Sequence, residues 1–402
     1  MISLDKALQL VLDSATVLEK RTVSIHKALG WTLAQDVLAD RPLPPFDRVA
    51  MDGYAVRSTD FTSETVRLKH AGEIAAGDPF DGRVRPGEAY RIMTGSPCPE
   101  GADAVVKIEH CRQEGKWIAM TEGGMRPGLN IAQKGEDASK GKLLIAKGTV
   151  LNTSGIAICA SVGLTEISVY RKPEIGVMST GTEIIPPDRD PLPHQVRDCN
   201  SFSSRSLSKM LGIEARFLGI GEDDKAVQTK MIREGLNNDI LILSGGVSMG
   251  DFDLIPGLLA ECGVEKIFHA VKMKPGKPVW FGKSDKNTYV FGLPGNPVSV
   301  QICYKLLVET LIRKITGYAS PQPEFLVLEL HRPIVIKTAR ETFVPGRFEI
   351  AHGKSVVTQI RLQGSGDFSN VATSHGLIRC PLGVSKVESG TLVQFLPWIR
   401  FN

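Results

Sequence analysis

The chain has 402 residues, 42% hydrophobic and 23% charged, a globular balance with length for roughly two to four domains. Its net charge of +4 and sparse aromatics, with no basic stripe, argue against a nucleic-acid binder. Seven scattered cysteines without a C-x-x-C pair give neither a disulfide framework nor a zinc site, and point to a reducing compartment. The first twenty residues, MISLDKALQLVLDSATVLEK, mix acids with bases and lack a small-residue cleavage site. No run reaches the ~18 apolar residues of a membrane span, so a soluble, cytoplasmic protein is expected.

Ser3 is placed to cap a helix carrying Leu4, Ala7, Leu8, Val11 and Leu12 on one face. That face is expected to pack on the rest of the chain or on a second subunit. RPLPPFD (41–47) breaks the pattern with three prolines. From 41 to 137 the chain is rich in Gly and Pro, and AYRIMTG, ADAVVKI and KWIAM are candidate strands of a β-rich module. Between 138 and 172, SGIAICASVGL reads as a short helix and EISVY as a strand. With 1–40 this stretch is expected to form a discontinuous linking domain.

Residues 173–322 alternate strand and helix. EIGVMST, EARFLGI, DILILSGG, VWFG and TYVFGL read as strands, and DILIL is apolar enough to be buried on both faces. SFSSRSLSKMLG, DDKAVQTKMIREGL, DFDLIPGLLAECG and a last stretch from Val298 to Ile315 read as helices. The pattern is that of a doubly wound α/β domain. In residues 323–402, EFLVLEL, VVTQIRL and TLVQFLPW are strands of a small C-terminal barrel or sandwich.

Ligands of open α/β sheets bind beyond the carboxyl ends of the strands. Four such ends here carry Ser179 to Glu183, Gly221 to Asp224, Ser244 to Asp253, and Pro294 to Pro297. Nearby, VKMKPGKPVW brings Lys272, Lys274 and Lys277 together. Pro297 suits the first position of a helix and Asn296 its cap, which leaves the N–H groups of Val298, Ser299 and Val300 facing an anion. The lysines add charge, and Glu183, Asp223, Asp251 and Asp253 suit a hard cation such as magnesium. Taken singly, a glycine pair is ordinarily a turn, acids at a helix start are caps, and neighbouring lysines are a solvated face. Four such loops at successive strand ends are harder to dismiss. No Ser/His/Asp or Cys/His arrangement stands out, and the Walker-A and G-x-G-x-x-G patterns are absent.

PPFDRVAMDGYAVR (44–57), RIMTGSPCPEGADAVV (91–106), NIAQKGEDASKG (130–141), STGTEI (179–184), SGGVSMGDFD (244–253), MKPGKP (273–278) and GLPGNPVS (292–299) occur in this order. Together they resemble the molybdopterin molybdenumtransferase family, which includes the C-terminal domain of gephyrin, and the resemblance covers essentially the whole chain. It implies a helical linking domain (1–40 and 138–172), a β-rich second domain (41–137), a doubly wound α/β molybdopterin-binding domain (173–322) and a C-terminal β-barrel (323–402). It implies a homodimer whose active cleft lies between the third domain of one subunit and the second domain of the other. The implied reaction inserts molybdate into adenylylated molybdopterin with magnesium (Mg2+), releasing AMP and molybdenum cofactor. A molybdopterin adenylyltransferase is then the upstream partner.

Carried over motif by motif, the implied catalytic residues are Asp52, Thr94, Asp137, Glu183, Asp223 and Asp253, with Glu183 and Asp223 as metal ligands. The implied substrate-binding residues are Lys274, Lys277, Ser244, Gly245, Gly246, Pro294, Gly295, Asn296 and Pro297. In the C-terminal domain, Arg361 and Ser365 match the family loop more weakly, with Arg347 a further candidate. Val49 and Cys199 stand where the family often has serine, and Cys199 is expected to make its loop oxidisable.

Three rivals remain at this level. The neighbouring adenylyltransferase shares the α/β domain, although the flanking β-rich domains argue against it. A scaffold binding a partner peptide is a second. An enzyme taking tungstate in place of molybdate is a third, since the two oxyanions are close in size and charge.

Overall fold

The computed structural model describes residues 1–77, 82–247, 254–351, 353–364 and 366–399. The chain divides into two compact units, Met1–Gln35 with Lys147–Thr153 and Glu166–Asn402, and Asp36–Ala146 with Ser154–Thr165. Among the described residues, no helix is long and apolar enough to cross a membrane.

In the larger unit, the first helix runs Leu4–Ser14. Ser3 caps it as expected, its hydroxyl accepting the Lys6 N–H at 3.2 Å. Its buried face, Leu4, Ala7 and Val11, joins one core with Leu307, Leu311 and Ile315 of the last helices. The periodic apolar stripe is therefore covered by the chain itself. The strand Lys20–Ser24 pairs antiparallel with Glu166–Tyr170 and ties the start of the chain to residue 170.

The α/β sheet has the order Ala215–Gly221, Ile175–Thr180, Ile240–Ser244, Tyr289–Leu293, Trp280–Ser284, Val264–His269. The first four strands are parallel, and Trp280–Ser284 runs antiparallel to both of its neighbours. Ile175–Thr180, Ile240–Ser244 and Tyr289–Leu293 are buried at every position, which is why they read as unbroken apolar runs. Side chains alternate between two cores. Ile240 and Ile242 pack on one face with Phe291, while Leu241 and Leu243 pack on the other with Val290 and Leu258.

The chain order reverses about Ile175–Thr180. Ala215–Gly221, next in sequence, lies to one side of it, and Ile240–Ser244 to the other. Such a reversal opens a crevice at the carboxyl ends of the strands.

Val264–His269 forms a sheet edge, and its exposed Glu265 and Lys266 hide the strand pattern in the sequence. The helix expected from 298 to 315 is one continuous run with a π turn, as Pro297–Cys303, Tyr304–Val308 and Glu309–Ile315.

The C-terminal strands close on themselves in the order Glu341–Ala351, Lys354–Gln359, Leu326–Leu330, Leu392–Pro397, Gly376–Cys380 and back to Glu341–Ala351. This is a barrel, which removes every free edge. Two of its strands were invisible in the sequence. Glu341–Ala351 contains Pro345 and Gly346, which read as a break. Pro345 instead stands opposite Leu377, and its carbonyl accepts the Ile360 N–H at 2.8 Å. Gly376–Cys380 is a short run between polar turns. The strand expected over VVTQIRL ends at Gln359, before Arg361.

The smaller unit is built on a six-stranded sheet in the order Ala104–Lys107, Gly53–Val56, Glu88–Ile92, Thr65–Ile74, Trp117–Thr121, Cys111–Glu114. Three of these contain the candidate strands read from sequence. In Thr65–Ile74 the charges and Gly72 mask the alternation of a strand. Three motif segments interlock here. Ile131 pairs with Val49, the Gly95 N–H donates to Val49 O at 2.9 Å, and the Lys134 N–H donates to Asp47 Oδ1 at 2.8 Å.

Candidate active site

A cleft of about 840 Å³ opens at the reversal point of the α/β sheet. Its wall is made of the loops that follow Ile175–Thr180, Ala215–Gly221, Ile240–Ser244 and Tyr289–Leu293, together with Asp198 to Asn200 and the barrel residues Gly366 and Phe368. Glu183, Asp223, Ser244, Gly245, Gly246, Pro294, Gly295, Asn296 and Pro297 all line it. The structure thus gathers nine of the sequence-expected residues in one place.

Glycine is required at the turn after Ile240–Ser244. Gly245 has φ +94°, and a Cβ there would lie 2.5 Å from the Thr180 carbonyl oxygen. The two strand ends are sewn together through side chains as well. Thr180 Oγ1 donates to Ser244 O at 3.2 Å, and Ser179 and Ser244 hydroxyls meet at 3.3 Å.

Asp223 is exposed, and it is held in place by the loop beside it. Its Oδ2 accepts both the N–H and the hydroxyl of Thr182 at 3.1 Å, and its own N–H donates to Thr182 Oγ1 at 3.1 Å. Its Oδ1 accepts Gln228 Nε2 at 3.3 Å. Gln228 is buried, lines the cleft, and has an Oε1 without a partner. Glu183 is exposed on the adjoining turn.

The turn Pro294 to Pro297 differs from expectation in two respects. Asn296 occupies the cap position by backbone geometry, but its side chain makes no capping hydrogen bond. The Val300 N–H is not free for a ligand, because it donates to Asn296 O at 3.1 Å as a normal helical bond. The N–H groups left to the first turn are those of Val298 and Ser299, since Pro297 has none.

Lys274 and Lys277 are exposed and do not line the cleft, although Pro278 next to them does. Lys274 is held instead by its backbone, opposite Thr342 of the barrel. Arg361 and Arg347 are exposed and also outside the lining. Asp253, Asp251 and Ser365 lie outside the described residues.

In the smaller unit, Asp52 and Thr94 form a pair. Asp52 Oδ1 accepts the Thr94 hydroxyl at 2.6 Å and the Thr94 N–H at 2.7 Å. The hydroxyl bond first, then the N–H bond, hold the Asp52 carboxyl below the usual aspartate range. Asp137 is exposed in the neighbouring loop, its N–H donating to Leu43 O at 2.9 Å and its carbonyl accepting Lys142 Nζ at 2.6 Å.

Sequence reasoning singles out Cys199 of RDCNS but not Asp198 and Asn200 on either side of it. Asp198 is buried and accepts the Ser179 hydroxyl at 3.0 Å, the Ser201 N–H at 3.1 Å and the Ser201 hydroxyl. Asn200 donates Nδ2 to Gly295 O at 2.7 Å. The signal available was a polar pair at a helix start, which looks no different from an ordinary cap. Cys199 between them is half-buried. Burial first, and then Asp198, push its thiol up, which disfavours the reactive thiolate and weakens the expectation of an oxidisable loop.

Comparisons with known proteins agree along the whole chain. Residues 2–163 match the MoeA N-terminal region (domain I and II), 176–314 a probable molybdopterin binding domain, and 327–398 the MoeA C-terminal region (domain IV). The molybdopterin molybdenumtransferase of Bacillus subtilis is 32% identical over 98% of this chain and 94% of its own. That of Haemophilus influenzae is 33% identical over 99% of both. A solved molybdopterin biosynthesis MoeA protein from Pyrococcus horikoshii superposes with a TM-score of 0.84 at 28% identity, covering 99% of this chain and 100% of that one. The switch-point cleft, the closed barrel and relatives a third identical from end to end have one explanation: this chain belongs to the molybdopterin molybdenumtransferase family, transferases of molybdenum cofactor biosynthesis.

Proposed function

We propose that this chain inserts molybdate into adenylylated molybdopterin and releases AMP, with magnesium, acting in the cytoplasm as a homodimer downstream of an adenylyltransferase. The carrying observation is the convergence of Glu183, Asp223, the Ser244 to Gly246 turn and the Pro294 to Pro297 turn on one cleft at the sheet's switch point. That set combines carboxylates for a cation with small residues and backbone donors for phosphate and oxyanion.

The donor set fits magnesium. This ion takes one or two carboxylates, keeps several waters and shares substrate phosphate. Glu183 and Asp223 are exposed on the cleft, and Thr182 and Gln228 orient the second of them. Bound there, magnesium would neutralise charge on the phosphoanhydride oxygens.

The protein's own contribution is placement. The turns after Ile240–Ser244 and Tyr289–Leu293 present a preformed surface to the substrate's phosphates, stiffened by Asn200 and by the Ser179 to Ser244 contact. The exposed lysines at 274 and 277 raise the local potential for a doubly charged oxyanion. No protein nucleophile is required. A homodimer in which the second domain of one subunit serves the cleft of the other is part of the same reading. Asp52, kept ionised by Thr94, is the group such a domain would bring.

The test is cofactor synthesis by the purified chain from adenylylated molybdopterin, with molybdate and tungstate in parallel and magnesium present or absent. Magnesium-dependent AMP release with cofactor formation is expected. No AMP release under any of these conditions would sink the reading. Accumulation of adenylylated molybdopterin from molybdopterin and ATP would favour the adenylyltransferase.

A further inference from the structure

The loops at the strand ends supply oxygens, amides and acids, which suit phosphate and oxyanion. Among the described residues, none of them offers an aromatic face. Phe368 does. It is the only aromatic side chain among the described cleft-lining residues, and it comes from the C-terminal barrel rather than from the α/β sheet. It is 38% exposed, while Val371, three residues on, is buried in the core. A large aromatic ring left partly in water inside the cleft is an unused binding face.

The loop that carries it is stiff. Asp367 accepts the Gln363 N–H at 3.0 Å, the Ser369 hydroxyl at 3.0 Å, and Asn370 Nδ2 at 3.0 and 3.2 Å. The Phe368 N–H donates to Gly366 O at 3.0 Å, and the Phe368 carbonyl accepts the Val371 N–H at 3.1 Å. Gly366 lies against the anion-binding turn, since a Cβ on it would stand 3.9 Å from Asn296 Oδ1. Hydrogen bonds within the loop therefore hold the backbone at Phe368 beside the cleft.

We propose that Phe368 is the platform on which a planar heteroaromatic ring of the substrate, its pterin or its adenine, stacks. This rests on the proposed function, since both rings belong to that substrate. Stacking needs an exposed aromatic side chain in reach of a phosphate seat, and Phe368, lining the same cleft as the Asn296 turn, is placed for that.

The test measures binding of AMP and of 6-carboxypterin, separately, to the full-length wild type and to Phe368→Leu, Phe368→Ala and Phe368→Trp, with thermal unfolding as a fold check. Leucine keeps apolar bulk and removes the π face. Stacking predicts about tenfold weaker binding of at least one probe to both the Leu and Ala variants, and wild-type or tighter binding to Trp. Weakening of AMP alone assigns the adenine, and of 6-carboxypterin alone the pterin. Wild-type affinity of the Leu variant for both probes overturns the platform and leaves the proposed function standing. A wild type that binds neither probe overturns both.

Discussion

Asn200 donates its side-chain amide to the carbonyl of Gly295 at 2.7 Å, across 95 positions of sequence. Two residues before it, Asp198 holds Ser179, which in turn meets Ser244. One short loop therefore pins three of the four strand ends that make the cleft. The N–H groups of Val298 and Ser299 have a fixed direction because their turn cannot slide against its neighbours.

Asn200→Ala should act on activity more than on folding. A neutral hydrogen bond contributes a net ~1 kcal/mol, so a stability loss of about that size is expected in urea unfolding. Freed from its anchor, the Gly295 turn loses its alignment, and kcat/KM for AMP release should fall about tenfold. Native kcat/KM in the variant would show that the anchor has no bearing on the reaction.

Asp198→Ala should act chiefly on folding. The buried carboxylate accepts three hydrogen bonds, and removing it strands the Ser179 and Ser201 donors away from water. Hydrogen bonds to a charged group contribute more than neutral ones, so a loss of about 3 kcal/mol is expected. A measured loss below about 1 kcal/mol would mean that the network is solvated or slack.

Thr94→Val should raise the Asp52 titration. The Thr94 hydroxyl is the larger cause of the depressed Asp52 carboxyl, and the N–H bond remains in the variant, so the return toward the ordinary value should be partial. Because the folded value lies below the unfolded one, the stabilisation is present above the ordinary aspartate range. It is lost as pH falls through the folded value. Carbon-13 NMR of the carboxyl reads both, and an Asp52 titration identical in the two proteins would contradict the assignment.

Asp223→Asn and Glu183→Gln should each raise the magnesium concentration for half-maximal AMP release by about tenfold or more. Both side chains are exposed, so unfolding free energies should stay within about 0.5 kcal/mol of wild type. An unchanged magnesium curve in both variants would place the ion elsewhere.

Lys274→Ala should raise the half-saturating molybdate concentration about fivefold to tenfold while leaving the fold intact, since the strand pairing at this position uses the backbone. The Lys274 side chain does not line the cleft, so the effect should shrink steeply with added salt. Cofactor synthesis with unaltered molybdate saturation would remove Lys274 from the binding set.

The chain's own order of residues determined the architecture of the α/β domain. Strands buried on both faces appear as unbroken apolar runs, as at Ile240 to Leu243, and their carboxyl ends can be found by reading on to the next glycine. It also determined that Ser3 caps the first helix, because a cap is settled within four residues. Local signals failed where pairing overrode composition. Pro345 sits inside a barrel strand, opposite Leu377 and with its carbonyl bonded to the Ile360 N–H, and nothing near it in sequence says so. Only the tertiary structure decided that Asn200 reaches Gly295, that Gln228 supports Asp223, that Lys274 stands off the lining, and that a barrel loop brings Phe368 to the α/β cleft. Burial leaves a periodic trace along the chain, so it is legible residue by residue. Contacts between distant segments depend on how the sheet reverses and the barrel closes, and those are properties of the packed whole.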